Sequence, residues 1–369
     1  MKKSQDQYAI PSKDSKLEIP NEFLTTFRWE YGDSRDSLKN LYSKAKNLQW
    51  DAEKRIDWSL DLDPENPMEL PDIVLPLFGS PVWQKMTDAE KTRYRVHQQA
   101  WQNSQFLHGE QGALICTAKI VQQVPHMDAK YYAATQVVDE ARHVEAYSRL
   151  LHEKFDLAYP ITSPLEALLE NIISDSRWDM TYLGMQILVE GLALAAFQGI
   201  RDMAKNSLGS QVNAYVMQDE ARHVAFGRMA LRDYYPQLSD KERDEREEFA
   251  VEACYLMRDR FLAKEMWENL GLPVEECTEW VDKSEPMKLF RASLFSRIVP
   301  TIKEIGLWGP RIQKAYVDMG ILEFAKIDYE AVAENDEKVA EAFDAGAPPP
   351  SKSFEEVALG FMQSLQGKN

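Results

Sequence analysis

One five-residue word occurs twice in this chain and limits what it can fold into. Asp139-Glu140-Ala141-Arg142-His143 returns 80 positions later as Asp219-Glu220-Ala221-Arg222-His223. Each copy is preceded, 30 residues upstream, by an isolated glutamate: Glu110 for the first and Glu190 for the second. On an α-helix, positions i and i+3 lie on one face, one turn apart. Each copy therefore presents one carboxylate and one imidazole to the same point, and a helix carrying the upstream Glu can complete each half. Together Glu110, Glu140, His143, Glu190, Glu220 and His223 supply four carboxylates and two imidazoles. That mixed oxygen and nitrogen set suits a pair of octahedral-tending ions such as iron or manganese.

The surroundings of these residues argue for a buried role. Glu110 is followed by Gly112-Ala113-Leu114-Ile115, and Glu190 lies between Ile187-Leu188-Val189 and Leu192-Ala193-Leu194-Ala195-Ala196. A lone carboxylate in such apolar sequence is costly to bury, and a metal ion offsets the cost. Asp139 and Asp219 directly precede the paired glutamates. A metal-bound His commonly donates its other N–H to a carboxylate, so each Asp is expected to hold the His of the other half, with Arg142 and Arg222 neutralising the aspartates. Leu114, Met185, Leu194, Phe197 and Phe226 are expected to form an apolar substrate pocket around the site.

The rest of the chain reads as helical. Residues 1–80 form an arm: a loose start over 1–20, one helix near 35–56, then a segment punctuated by Pro67, Pro71 and Pro76. Thr87-Asp88-Ala89-Glu90 has capping-box spacing and opens a long helix that Pro125 stops near Val124. A second helix is expected from about 128 to 154, a third from 165 to 205, a turn over Asn206 to Ser210, and a fourth helix from 211 to 232. These make a dimetal bundle over 81–235. Helices at 236–344, broken at Gly271-Leu272-Pro273 and between Gly306 and Pro310, belong to the same domain. Residues 345–369 read as a proline-rich linker and a short amphipathic helix at 354–365. Strand signals are few, so the expected fold class is all-α. Chain reach fits a hairpin for Glu110 and Glu140. The turn at 206–210 lies closer to Glu220 than to Glu190, so a bulge in the Glu190 helix is expected.

The net charge of −17 excludes nucleic acid as a natural partner. No uninterrupted apolar run of membrane-spanning length occurs, and Met1-Lys2-Lys3 has no apolar segment behind it, so a cytoplasmic protein with no membrane partner is expected. Cys116, Cys254 and Cys277 are few, distant and odd in number, which fits reduced, buried thiols.

The doubled Glu and Asp-Glu-Ala-Arg-His pattern resembles the ferritin-like di-iron carboxylate proteins, over about residues 85–235. In that bundle a Glu from each of two helices meets Glu-x-x-His from each of the other two. Within the superfamily the pattern resembles the ribonucleotide reductase small subunit and the hydroxylase subunits of bacterial multicomponent monooxygenases. The resemblance implies a ferritin-like four-helix bundle core with additional N- and C-terminal helices. It also implies two iron ions (Fe/Fe, or Mn/Fe), dioxygen as co-substrate, and oxidation of a small, hydrophobic or aromatic substrate. Electrons would come from a ferredoxin or reductase, since no flavin or iron–sulfur motif is present, and a homodimer is expected.

Three positions set the chain apart from individual branches. Tyr147 has the spacing of the reductase subunit's radical tyrosine, but Ser364 to Asn369 lacks the acidic-aromatic tail that docks the large subunit. Leu194 stands where the hydroxylases carry Thr. Val216 stands where the N-oxygenase branch carries a further His ligand four residues before the last Glu, and on that residue the N-oxygenase branch is not expected. The expected function is that of a di-iron oxidase or monooxygenase. The rivals are a radical-generating subunit using Tyr147 and a non-catalytic iron-binding protein.

Overall fold

The computed structural model describes residues 8–10, 16–29, 31–32, 35–353 and 356–357. The expected loose arm at 1–20 and short helix at 354–365 lie largely outside them. Among the described residues there is no β-strand, only an isolated bridge between Tyr8 and Ala158. The chain is all-α, built around a ferritin-like four-helix bundle.

The N-terminal region contains α1 (Asp36–Asn47), α2 (Ala52–Arg55) and α3 (Pro81–Lys85). The single helix expected at 35–56 is therefore two. The chain leaves helical geometry at Leu48, and Asp51 restarts it by accepting a hydrogen bond from Glu53 N. Residues 48–51 are the consequence that matters, because they carry Gln49 and Trp50 to the centre of the bundle. Arg35 pins the start of α1 with a two-pronged ion pair to the buried Asp128 (3.0 and 3.1 Å).

The bundle proper is α4 (Asp88–Gln123), α5 (Met127–Arg149), the α7–α8 unit and α9 (Ser207–Tyr234). Thr87 and Glu90 form the expected capping box at the start of α4. Between α5 and the next bundle helix lies α6 (Ser163–Ser174). The expected continuous helix over 165–205 is broken at Asp175-Ser176-Arg177. The buried Lys119 ammonium donates to Ile173 O (2.7 Å) and Asp175 O, taking the carbonyls that a further turn of helix would have used. Helix then resumes as α7 (Trp178–Thr181), a π-helical stretch at Tyr182–Val189, and α8 (Glu190–Met203). This run is long and apolar enough by composition to span a membrane, but 78% of that window is buried inside the protein, where it serves as the bundle's core helix.

The expected turn over Asn206 to Ser210 is also revised. Asn206 is the N-cap of α9: its side chain accepts from Leu208 N and Gly209 N, so the helix starts four residues earlier than expected. The two hairpins become equivalent. Glu110 precedes Val124 by 14 residues and Glu140 follows His126 by 14; Glu190 precedes Ala204 by 14 and Glu220 follows Asn206 by 14. The bulge expected in the Glu190 helix is present as the π-helical stretch, but the hairpin does not need it for balance. It ends immediately before Glu190 and sets that residue's rotation toward the bundle axis.

The remaining helices brace the bundle from outside. They are α10 (Asp240–Asp259), α11 (Lys264–Leu270), α12 (Val274–Lys283), α13 (Glu285–Ser293), α14 (Ile298–Glu304), α15 (Pro310–Asp318) and α16 (Tyr329–Asp344). α10 lies against α6 and the π-helical stretch, and α16 lies along α9. A buried network fixes this shell: Asp336 on α16 accepts from Arg201 on α8 (2.9 Å) and pairs with Arg297 (2.8 Å). All three cysteines are buried and free.

Candidate metal centre

The two hairpins bring the six predicted residues to one level of the bundle, each no more than 5% exposed. Their ligand atoms fall into two four-residue groups, in each of which all donor atoms lie within 4.8 Å of one another. One group is Glu110, Glu140, His143 and Glu220; the other is Glu140, Glu190, Glu220 and His223. Glu140 and Glu220 belong to both. The distances show the same sharing: Glu140 approaches Nδ1 of His143 (3.4 Å) and of His223 (3.1 Å), and Glu220 approaches Nδ1 of His143 (3.0 Å) and of His223 (3.3 Å). Glu110 faces only His143, at 3.1 Å.

Both imidazoles turn Nδ1 toward the carboxylates and Nε2 away. His143 Nε2 meets Asp219 Oδ2 at 3.1 Å and His223 Nε2 meets Asp139 Oδ2 at 3.2 Å. Each aspartate thus holds the histidine of the opposite half, as the sequence suggested. Arg142 donates to Asp139 and to Asp219 (2.9 Å), and Arg222 donates to Asp219. Both arginines are buried, so their charges are available to these aspartates with little screening by water.

Sequence reasoning missed three supports. Gln49 Nε2 donates to Asp139 (2.6 Å) and Trp50 Nε1 donates to Asp219 (2.7 Å), both from the irregular segment after α1. Arg142 in turn donates to Gln49 Oε1 and Trp50 O. The third is Gln136, one turn before Glu140, which donates to Glu140 (2.8 Å) and to Glu190 (3.1 Å). Its position four residues ahead of a buried Glu was a readable signal. Gln49 and Trp50 had none, because their partners lie 90 and 169 residues away.

The electrostatics are those of an anionic cluster that needs cations. Burial, reinforced by the charge of Glu220, pushes the Glu110 carboxyl up to about 8. Burial and the charges of Glu220 and Glu140 push Glu190 well above the carboxylate range. For Glu140, burial is outweighed by the facing His223 and His143, which hold it below that range. His143 is held well above the ordinary imidazole value: burial opposes this, but the hydrogen bonds it donates to Asp219 and Glu110 win. Even so, Glu140 Oε2, Glu190 Oε2, both Glu220 oxygens and His223 Nδ1 are buried without a hydrogen-bond partner among the described residues. Five orphaned oxygen and nitrogen atoms converging at one level fit two metal ions of the iron or manganese type.

A pocket partly open to solvent adjoins this cluster. Glu110, Glu190, Glu220, Phe106, Phe197, Val189 and Arg260 are among the residues that line it. Of the apolar residues expected around a pocket, Phe197 alone lines this cavity. Leu114 is half-buried on another face of α4, and Met185, Leu194 and Phe226 are fully buried core residues outside its lining. Phe226 packs instead between the rings of Tyr132 (4.4 Å) and Tyr182 (5.0 Å). Tyr147 is buried, stacks on Phe197 (5.7 Å) and donates to Asn213 Oδ1 at 3.1 Å. Val216 is fully buried.

The family model described as p-aminobenzoate N-oxygenase AurF matches residues 32–306, which takes in every helix that contributes to the cluster. No curated protein matches the chain. Among solved structures, an R2-like ligand-binding oxidase variant with an anaerobically reconstituted Mn/Fe cofactor aligns at 18% identity and a TM-score of 0.43, over 76% of this chain and 95% of that one. The family match overturns the expectation drawn from Val216: an apolar residue at that position does not place the chain outside the N-oxygenase branch. With about three quarters of its length matched, the chain belongs to the p-aminobenzoate N-oxygenase AurF family of non-haem di-iron oxygenases.

Proposed function

We propose that this protein oxygenates the amino nitrogen of a small aromatic amine, using dioxygen at a dinuclear iron site held by Glu110, Glu140, His143, Glu190, Glu220 and His223. The observation that carries the reading is the pair of four-residue groups sharing Glu140 and Glu220, three of whose glutamates line a pocket together with Phe106 and Phe197. In this assignment Glu110 and His143 would help hold one ion, Glu190 and His223 the other, and Glu140 and Glu220, common to both donor groups, would contribute to each. When bound, the irons supply dioxygen binding and its two-electron reduction.

The chain's own residues do the rest. Asp219 and Asp139 accept from Nε2 of His143 and His223, which fixes the tautomer that leaves Nδ1 free for metal. Gln136 holds Glu140 and Glu190 in register. Phe106 and Phe197, edge-to-face at 4.6 Å, present an apolar wall on which an aromatic ring can lie, and they keep bulk water from the reacting nitrogen. The overall reaction inserts one oxygen atom into an N–H bond to give a hydroxylamine. The second oxygen leaves as water, with two electrons from an external reductase or ferredoxin and two protons. A homodimer in the cytoplasm is part of the same proposal.

The test is turnover of p-aminobenzoate by the iron-loaded, reduced protein under isotopically labelled dioxygen. The expected product carries labelled oxygen on nitrogen. Label on ring carbon, or no label in any product, would contradict the reading.

A further inference from the structure

A second groove lies along the same two helices as the metal-site pocket, and the proposed reaction does not use it. α4 lends it Gln98, Trp101 and Gln102, and α8 lends it Gly199, Ile200 and Met203. The pocket beside the metal cluster takes up at the next positions of these helices, from Gln105 and Phe197. The groove is partly open to solvent, and its lining is mostly apolar. Met203, Phe261 and Phe290 line it and are only half-buried, so large apolar side chains keep part of their surface in water at one place.

The chain beyond α16 is brought to the edge of this groove. Lys352 N donates to Asp202 O (2.6 Å), and Lys352 Nζ pairs with Asp202 Oδ2 (3.0 Å), one residue from the groove-lining Met203. Pro348-Pro349-Pro350 stiffen the approach, and Ser351, in a left-handed backbone conformation (φ 47°), turns the chain into this two-point tether. A helix begins directly after it. Ser353 N donates to Glu356 Oε2 (2.7 Å), Glu356 N donates to Ser353 Oγ (3.1 Å) and Val357 N donates to Ser353 O (3.0 Å), which is a reciprocal capping box. In the sequence Phe354, Val357, Ala358, Phe361, Met362 and Leu365 follow at i, i+3, i+4, i+7, i+8 and i+11, a single apolar helix face. Val357 is half-buried and Glu356 is exposed, the sense that this face requires.

We infer that residues 354–365 form a helix whose apolar face docks into this groove of its own chain. Three observations select that occupant. The first is reach. At 1.5 Å per residue, Phe361 and Leu365 stand about 12 and about 18 Å from Ser353, while Ala196, the far edge of the groove on α8, is about 10 Å along that helix from Met203. The second is the tether at Asp202. A segment held at the rim has an effective concentration in the millimolar range, which a second copy or a separate partner must outcompete. The third is charge. The segment carries Glu355 and Glu356 and no Lys or Arg, the opposite of what an anionic membrane surface attracts. Docked there, the helix covers the outer end of the α4–α8 seam whose inner end is the metal-site pocket.

The experiment is hydrogen exchange on the full-length protein, with Tm measured on every variant. The amides of residues 357–365 are expected to exchange about tenfold or more slower in wild type than in Phe361→Asp/Met362→Asp. Met203→Glu, which alters the groove and leaves the segment intact, is expected to release the same amides to the same rate. Gln363→Asp, on the polar face, is expected to leave them protected. Free-chain exchange of these amides in wild type would overturn the inference, as would protection that survives Met203→Glu in a folded protein. A second measurement separates the chain's own groove from that of another copy. Gln363→Cys is joined by a bismaleimide to Lys205→Cys, an exposed position at the groove rim, while the three native thiols stay buried. A single-chain product on a denaturing gel is expected, and a two-chain product would place the segment on a second copy and contradict the inference. Wild-type protein that sediments with phosphatidylserine vesicles, and loses this in Phe361→Asp/Met362→Asp, would contradict it too.

Discussion

The α4–α5 hairpin and the α8–α9 hairpin carry the same Glu and Asp-Glu-Ala-Arg-His word, yet the residues one turn to either side of it differ. Four residues before the paired Glu, the first half has Gln136, which ties Glu140 to Glu190, and the second has Val216, which offers no polar atom. Four residues after the His, the first half has Tyr147, a bulky ring against Phe106 and Phe197, and the second has Gly227. The Gly is required: a Cβ there would lie 2.6 Å from Gln186 Cβ in the π-helical stretch. One half therefore spends its flanking positions on polar bracing and aromatic wall. The other spends them on letting α9 approach the distorted helix that delivers Glu190. The duplicated word places the six candidate ligands at one level, while its unduplicated neighbours divide the remaining tasks between the halves.

The largest effect should come from the cross-bracing aspartates, where the halves are unequal. Asp219 accepts from His143, Trp50, Arg142 and Arg222, whereas Asp139 accepts from His223, Gln49 and Arg142. Removing one partner of a buried charged pair costs about 3–5 kcal/mol. Asp219→Ala is expected to destabilise by that order in chemical denaturation, and Asp139→Ala by less. Equal losses would show that the donor count does not govern the difference.

Gly227→Ala comes next. Overpacking of this kind costs about 1–3 kcal/mol, and the clash falls on Gln186 and the π-helical stretch rather than on the first half. Denaturation is expected to show that loss together with weakened metal binding at the Glu190 and His223 position. Wild-type stability in this variant would mean the α9 approach is not tight.

The metal-free protein should respond to pH in a direction set by these shifts. Glu110 is raised from its ordinary 4.5 to about 8, and Glu190 and His143 are raised as well, so the folded form binds more protons than the unfolded one. Stability from raised groups is present at low pH and is lost as pH rises through the folded values. Glu140 and Asp219 are depressed, and their contribution is lost only on acidification below the ordinary carboxylate range. The Tm of the metal-free protein should therefore fall between about pH 5 and about pH 8. Iron loading should remove or reverse that slope, because the ions bind the deprotonated ligands. A Tm in metal-free protein that rises over this interval would contradict the cluster's electrostatics.

Tyr147→Phe gives the smallest effect. It removes one hydrogen bond, to Asn213, at a cost of about 1 kcal/mol. Turnover should persist, and paramagnetic resonance after aerobic iron loading should show no stable tyrosyl signal in wild type. A stable signal lost in the variant would revive the radical-subunit alternative.

How much of this was legible follows the same division. The six candidate ligands and the crossed Asp–His braces could be read from spacing, because helix geometry converts i, i+3 directly into a shared face. The balance of the hairpins was misread at Asn206, whose capping side chain looks like turn chemistry until its partners Leu208 N and Gly209 N are seen. The break at 175–177 contains neither Pro nor Gly; it depends on Lys119, more than 50 residues away, taking the carbonyls. Gln49, Trp50 and Arg260 reach the site from irregular or short segments outside the bundle, where no periodicity points at a target. The apolar pocket residues were chosen by proximity in sequence, and burial of a side chain in a bundle core does not say which side of it faces a void.

Under the proposed assignment Glu140 and Glu220 would contribute to two ions while Glu110 and Glu190 would contribute to one each, and iron content per chain tests this most directly. Wild type should hold about two irons, Glu110→Ala about one, and Glu140→Ala essentially none. Two irons retained in Glu140→Ala, or one or none in wild type, would contradict it.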